Sequence, residues 1–281
     1  MPAGTRPGER GIRVVITGKG GMGKTTLAAL LAHLFAQEGK RVLAIDADPQ
    51  QNLAATLGIP AADAEKIVPV SECTTYLREK TGAGAEMSPG GLLTLNPDVS
   101  DVVDRFSVPA GKNVRLLVMG SVKEAGGGCL CPEYTLLAAI LRHMRLLEDD
   151  VVILDTAAGL EHFGRAVAEG FTCAVVVTDH TYNAVSVARK SAALAHQLGI
   201  ENVILVINRS KDKTDIRNIC GSDGGVAEFS QTIGLPEDPM VARIEPSVTH
   251  LVDSDSSFVY NVKTLVAAVA GRCENWSPPV R

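Results

Sequence analysis

The chain has 281 residues, of which 46% are hydrophobic but only 4% aromatic, so its core must be built mainly from Val, Ile, Leu and Ala. The formal net charge of −5 argues against nucleic acid as the main partner. A polar stretch stands where a signal peptide would need apolar residues, and no run reaches the roughly 18 apolar residues of a membrane span. We expect a cytoplasmic protein with a flexible N-terminus over residues 1–11 and a single domain over residues 12–281.

Short apolar runs alternate with helical patterns, which is typical of an α/β protein with a mostly parallel sheet flanked by helices. The first strand is predicted over residues 12–17, a helix then extends towards Gly39, and the second strand covers residues 41–45. Because the strands are continuously apolar, both faces of the sheet should be buried. Residues 58–112 give no clear pattern, and we expect an excursion from the same domain. Further strands are predicted over residues 114–119, 151–154, 174–178 and 203–207, and further helices over residues 136–144 and 184–198.

Residues 18–25 read GKGGMGKT and match the phosphate-binding pattern G-x-x-x-x-G-K-[ST] between a strand and a helix. The glycines allow backbone N–H groups to close around phosphate oxygens. We expect Lys24 to reach the terminal phosphates and the Thr25 hydroxyl to bind Mg²⁺, so ATP or ADP and Mg²⁺ are the predicted cofactors. The expected nucleotide contacts in the loop are Gly20, Gly21, Met22, Gly23, Lys24, Thr25 and Thr26.

Lys19 makes the loop similar to the KGGxGKT variant of MinD-like and ParA-like ATPases, nitrogenase iron protein and arsenite-transport ATPases. The resemblance implies that residues 12–281 form a P-loop ATPase domain that works as a homodimer. It also implies that Lys19 crosses the dimer interface to the partner's nucleotide, in the manner of an arginine finger. A solvated loop lysine is the alternative interpretation.

Three later positions fit the same resemblance. Residues 46–52, DADPQQN, stand where the family has a switch, so Asp48 would orient the attacking water and lie near Mg²⁺. Asp155 ends a buried strand and would be a second Mg²⁺ anchor, while Gly159 would act as a γ-phosphate switch. Asn208 follows a strand where the family reads the adenine ring. Each position also admits a structural interpretation as a turn or capping residue. The candidate catalytic residues are Lys19, Lys24 and Asp48.

A cysteine pair forms the second informative segment, GGGCLCP at residues 126–132. Cys131 is predicted to cap a helix that begins at Pro132, and the positive helix end would favour thiolates. Two thiolates, from Cys129 and Cys131, do not complete a tetrahedral or square-planar site, but a two-fold dimer would supply two more. Four thiolates suit Zn²⁺, Ni²⁺ or an iron–sulfur unit. Two idle thiols are the alternative interpretation.

The segments GGGCLCPEYTLL and DTAAGLEHFGR resemble the CooC-type accessory ATPases of carbon monoxide dehydrogenase, and the likeness extends from residue 12 to about residue 270. It implies a metallochaperone that binds Ni²⁺ or Zn²⁺ between protomers and serves a client metalloenzyme, carbon monoxide dehydrogenase. Ala157 departs from this resemblance, since we expect an acidic residue there.

Two other functions remain open. A MinD-like or ParA-like spatial organiser or partition ATPase would need a membrane-surface helix or a basic DNA-binding face. An iron–sulfur ATPase resembling nitrogenase iron protein would draw its ligands from two distant loops, whereas this chain offers one C-x-C pair.

Overall fold

One eight-stranded sheet organises the part of the chain that the computed structural model describes, which is residues 11–81, 99–120, 131–144, 146–158, 170–210 and 228–271. The strands are β1 (Ile12–Gly18), β2 (Arg41–Ala47), β3 (Val108–Pro109), β4 (Val114–Val118), β5 (Asp150–Thr156), β6 (Cys173–Thr178), β7 (Asn202–Ser210) and β8 (Gln231–Pro236). Their order across the sheet is β3-β4-β2-β5-β1-β6-β7-β8. Every neighbouring pair is parallel except β3 and β4. The predicted α/β class is confirmed.

Helices lie on both faces of the sheet; α1, α6 and α7 match the predicted helical patterns, whereas the 13-residue α10 was not predicted. The described helices are α1 (Lys24–Gln37), α2 (Leu53–Thr56), α3 (Ala61–Ala64), α4 (Thr74–Thr81), α5 (Val102–Phe106), α6 (Cys131–His143), α7 (Tyr182–Gln197), α8 (Pro239–Arg243), α9 (Thr249–Val252) and α10 (Ser257–Val269). Helix α6 begins at Cys131, one residue earlier than predicted. Among the described helices, none is long and apolar enough to cross a bilayer.

The core is aliphatic on both sides of the sheet, as the composition predicts. Along β1, Val14 and Ile16 face the side covered by α1, while Val15 faces the side covered by α6 and α7. Helix α10 packs its apolar residues against the α1 side. Because both faces are covered, the strands can be apolar throughout.

Within residues 58–112, the described part packs onto this same core. Tyr76 of α4 is fully buried and donates a hydrogen bond to Asp101 Oδ1 at 3.0 Å. Its ring meets the ring of Phe106 edge-on, with 4.9 Å between centroids. Lys80 completes the junction through a 3.2 Å ion pair with Asp101. These contacts join α4 to α5 over the face that carries α6.

Arg13, near the start of β1, contacts the end of α6. The buried guanidinium donates hydrogen bonds to the carbonyls of Leu141 at 2.7 Å and Met144 at 2.6 Å. The last turn of α6 is therefore held at the amino end of β1. A helix of 13 residues spans about 20 Å, so α6 begins, at Cys131, near the carboxyl edge of the sheet.

Candidate nucleotide and magnesium site

The phosphate loop joins β1 to α1 at the carboxyl edge of the sheet, where its glycines are sterically required. Gly18 has φ 142°, and a Cβ there would overlap the backbone carbonyl oxygen of Val177 on β6. Gly23 has φ 87°, and a Cβ there would lie 2.7 Å from Nδ2 of Asn208. L-residues rarely adopt such positive φ angles, so the loop needs glycine at both positions.

The end of β7 holds the phosphate loop from its other side. Asn208 Nδ2 donates to the carbonyl of Met22 at 2.8 Å, and Met22 is itself buried. The guanidinium of Arg209 donates to the carbonyl of Gly21 at 3.3 Å. Asn208 therefore supports the loop backbone, and its predicted contact with the adenine ring stays a prediction.

Lys24 lies between the loop backbone and two carboxylates. Its side chain is 6% exposed, and Nζ donates to the carbonyl of Lys19 at 3.3 Å. Burial lowers the pKa of Lys24, while the nearby charges of Asp155 and Asp48 act in the opposite direction. The structure thus brings together three of the predicted site residues around this ammonium group.

Asp155 at the end of β5 is a buried carboxylate whose two oxygens both lack a hydrogen-bond partner among the described residues. Burial raises the pKa of Asp155 to about 7, although the Thr25 hydroxyl and the Lys24 ammonium oppose this shift. An ionised carboxylate is costly to bury without a compensating charge. Carboxylate and hydroxyl oxygens are the hard ligands that Mg²⁺ prefers, so Asp155 and Thr25 fit a magnesium ion.

Asp46 is a site residue that sequence reasoning missed. It is fully buried on β2, directly opposite Asp155 on β5. Its Oδ1 accepts from the backbone N–H of Asp48 at 3.1 Å, and its Oδ2 accepts from the backbone N–H of Leu53 at 3.0 Å. Burial and then the charge of Asp155 raise the pKa of Asp46 to about 7. Two signals were available, its place at the end of a continuously apolar strand and its position as the first residue of the segment DADPQQN.

Asp48 stands beyond β2 and is half-buried. Its Oδ1 accepts the backbone N–H of Gln50 at 2.9 Å, and its backbone carbonyl accepts the N–H of Gln51 at 3.0 Å. The loop after β2 is thus folded around Asp48, within electrostatic reach of Lys24.

A cavity of about 430 Å³ adjoins the phosphate loop where β7, β8 and α8 meet it. Polar and apolar groups share its wall, which is typical of sites that bind a heterocycle and its sugar. Residues from six elements line it, including Thr26 of α1, Asn208 of β7, Leu235 of β8, Pro239 of α8 and Phe258 of α10. Of the predicted nucleotide contacts, Gly21, Gly23, Thr26 and Asn208 therefore line this cavity.

Lys19 is exposed at the tip of the loop, beside the end of β6. There Asp179 accepts hydrogen bonds from the Thr181 N–H at 2.9 Å and the Thr181 hydroxyl at 2.6 Å. Although burial opposes the shift, these bonds and the charges of His180 and Lys19 lower the pKa of Asp179. The expectation that Lys19 crosses an interface stays a prediction.

Two predicted site residues, Cys129 and Gly159, lie outside the described residues, and of Cys131 only its place as the first residue of α6 is described. Among the residues that are described, no group of three or more His, Cys, Asp or Glu side chains could hold a metal ion. Cys173, by contrast, is fully buried in β6, and burial raises the pKa of its thiol to about 12. It is a core residue.

The geometry agrees with comparisons to known proteins. Residues 13–234 match the family described as the CobQ/CobB/MinD/ParA nucleotide binding domain. The chain belongs to this family of P-loop ATPases. Members of the MinD/ParA family hydrolyse ATP, so the predicted ATPase activity is confirmed at the level of the family.

Individual relatives narrow the assignment within the MinD/ParA family. The chain is 38% identical over 205 residues to the carbon monoxide dehydrogenase accessory protein CooC of Rhodospirillum rubrum, covering 73% of this chain and 77% of CooC. It is also 38% identical over 237 residues to an uncharacterized ATP-binding protein of Methanocaldococcus jannaschii, covering 83% of this chain and 88% of that protein. These similarities support the predicted CooC-type resemblance.

The fold is also similar to the cell division ATPase MinD of Pyrococcus furiosus. The TM-score is 0.63 at 19% identity, covering 93% of this chain and 99% of MinD. At this identity the comparison bears on the fold alone.

Proposed function

We propose that this chain is a CooC-type accessory ATPase that couples ATP hydrolysis to the insertion of nickel into carbon monoxide dehydrogenase. The ATPase part rests on one observation, the buried and unpartnered carboxylate of Asp155 beside Lys24 and Thr25. The client assignment is supported by the 38% identity with the carbon monoxide dehydrogenase accessory protein CooC.

Each site residue has a distinct role in the proposed reaction. Lys24 would neutralise charge on the terminal phosphates, and the Thr25 hydroxyl with Asp155 would hold Mg²⁺, with Asp48 close to it. Mg²⁺, when bound, offsets the negative charge of the phosphate oxygens. Asp48 would accept a hydrogen bond from the attacking water and orient it towards the γ-phosphate. Gly159 would change conformation according to whether the γ-phosphate is present, as a switch residue does.

The proposed mechanism includes a second copy of the chain, because Lys19 would act across a dimer interface. It is exposed at the tip of the loop, whereas Lys24 is buried against it. In a two-fold dimer, Lys19 of the partner subunit would approach the nucleotide and stabilise charge that develops during phosphoryl transfer. A single chain would therefore hydrolyse ATP slowly.

The metal is proposed as cargo, held by Cys129 and Cys131 from both copies. Cys131 begins α6, and the Arg13 anchor at the other end of α6 directs its start towards the carboxyl edge, where the phosphate loop lies. One chain offers two thiolates and a closed site needs four, so we expect one divalent ion per two chains. Closure around ATP would change the spacing of the cysteine pairs, and metal and nucleotide would alter each other's affinity by the same factor.

Equilibrium dialysis with Ni²⁺ and Zn²⁺, with and without ATP and Mg²⁺, tests the shared site. The double variant Cys129→Ala with Cys131→Ala should lose the metal and keep nucleotide binding, while the matched control Cys73→Ala should keep both. One ion per chain, or metal retained by the double variant, would contradict a shared site.

Activation of nickel-free carbon monoxide dehydrogenase tests the client. The wild-type chain with ATP and Ni²⁺ should accelerate the appearance of enzyme activity, and the double cysteine variant should not. Equal activation by both would refute the metallochaperone role.

ATP-dependent pelleting with DNA or liposomes would favour a spatial organiser, and a brown purified protein would favour an iron–sulfur ATPase.

A further inference from the structure

Asp46 makes two contacts at opposite ends of one loop. Its Oδ1 accepts the N–H of Asp48 at 3.1 Å, and its Oδ2 accepts the N–H of Leu53, the first residue of α2, at 3.0 Å. Both oxygens of one fully buried carboxylate are thus used by backbone donors.

The loop between the two contacts needs such support because it is not a regular element. Gln51 has φ 53°, a left-handed conformation that is unfavourable for a residue with a side chain. Asn52 is exposed, and Asp48 is only half-buried. Packing alone therefore does not fix the direction of the Asp48 side chain.

Asp46 also occupies an electrostatically unfavourable place. It lies directly opposite Asp155 in the parallel pairing of β2 with β5, and both are fully buried. Two neighbouring buried carboxylates repel each other. They differ in their contacts, since Asp46 is bonded by two backbone N–H groups while Asp155 has no hydrogen-bond partner among the described residues.

We propose that Asp46 is a positioning residue, which holds both ends of the loop after β2 so that the Asp48 carboxylate stays directed at the reaction. This inference rests on the proposed role of Asp48 in orienting water. In this role Asp46 needs no contact with the nucleotide or the attacking water. It acts through the backbone of Asp48.

Asp46→Asn tests the inference with almost no change of side-chain volume. An amide offers one acceptor oxygen and places an NH₂ group against the other backbone donor, so one bond is lost. We expect kcat to fall roughly tenfold to a hundredfold, while KM and the affinity for the ATP analogue AMPPNP stay within about threefold of wild type. Asp63→Asn, an exposed carboxylate of α3 paired with Lys66, is the matched control and should leave kcat unchanged.

A double-mutant cycle with Asp48→Asn distinguishes the possible failures. If Asp46 acts through Asp48, the double variant should be no slower than Asp48→Asn alone, because the loop has nothing left to direct. Losses that multiply would refute the inference and leave the role of Asp48 intact. Normal turnover of Asp48→Asn would instead refute the proposed function of that residue, whatever Asp46→Asn does.

Amide hydrogen exchange of the wild-type chain by NMR provides a test that needs no variant. The N–H groups of Asp48 and Leu53 should exchange at least tenfold more slowly than that of the exposed Asn52, because Asp46 protects them. Exchange of all three at similar rates would overturn the proposal, even if Asp46→Asn failed to fold.

Discussion

The substitution Asp155→Asn should stabilise the chain without ligands while it removes the response to magnesium. In the folded chain the pKa of Asp155 is raised from 3.8 to about 7, mainly by burial. Its folded pKa lies above its unfolded pKa, so its contribution to stability is fully present below about pH 4 and is lost as the pH rises to about 7. At pH 8 the ionised carboxylate therefore opposes folding.

The size of the effect follows from this shift. A shift of about three pKa units corresponds to roughly 4 kcal/mol against folding at pH 8. The amide of Asn would leave polar atoms without partners, which costs about 1–3 kcal/mol. The net gain is about 1–3 kcal/mol, or very roughly 2–12 °C in Tm for a chain of this size. At pH 5 the carboxyl group is protonated when folded, and the two proteins should have similar stability.

Differential scanning fluorimetry at pH 5 and pH 8, with and without Mg²⁺ and ADP, measures both effects. Wild type should gain Tm with ligand at pH 8, since ligands that bind the folded state stabilise it, and Asp155→Asn should lose most of that gain. Asp63→Asn, which is paired with Lys66 at 2.8 Å on the surface, is the matched control and should change neither. A variant less stable than wild type at pH 8 without ligand would show that the Asp155 carboxylate is satisfied.

Three further predictions concern the phosphate loop. Gly23→Ala should lower the stability of the chain by about 1–2 kcal/mol more than Gly39→Ala. The two φ angles are similar, 87° and 86°, but only the Cβ at residue 23 would meet Asn208. Equal shifts in Tm would show that the Asn208 side chain moves aside with no loss of stability. Lys24→Ala should abolish nucleotide binding or turnover, which calorimetry and a phosphate-release assay would measure, and normal hydrolysis would contradict the site assignment. Asn208→Ala removes the 2.8 Å bond to the Met22 carbonyl and should weaken ATP binding roughly fivefold to tenfold, so unchanged affinity in calorimetry would assign that bond no role in binding.

The parts of the fold that sequence could predict are those with a local physical cause. Continuous apolar runs predicted β1, β2, β4, β5, β6 and β7, because parallel strands covered on both faces exclude polar residues. Gly39 correctly indicated the end of α1, which finishes at Gln37. Strand β8, with the sequence QTIGLP, was missed because glycine and proline interrupt its pattern and its pairing with β7 is not local.

In the candidate site, too, sequence predicted the features that have a local cause and missed those that depend on distant parts of the chain. The spacing of Lys24 and Thr25 identified the phosphate loop because that motif is contiguous. The bond from Asn208 to the loop joins residues 186 positions apart and could not be predicted from spacing. The two contacts of Asp46 depend on how the chain turns back after β2, which only the folded backbone specifies.

Arg13 has a consequence for how a metal and a nucleotide could influence each other. One strand, β1, carries the phosphate loop at its last residue and, through Arg13, the last turn of α6 near its first. A seven-residue strand of about 23 Å and a helix of about 20 Å are short regular elements, so in the proposed dimer we expect Cys131 and the loop of one subunit to move together. Hydrolysis would then change the distance between cysteine pairs chiefly by rotating one subunit against the other. Metal release would then depend on how the two subunits are arranged, which can be measured as a change in the distance between spin labels placed outside the cysteine pair on the two subunits.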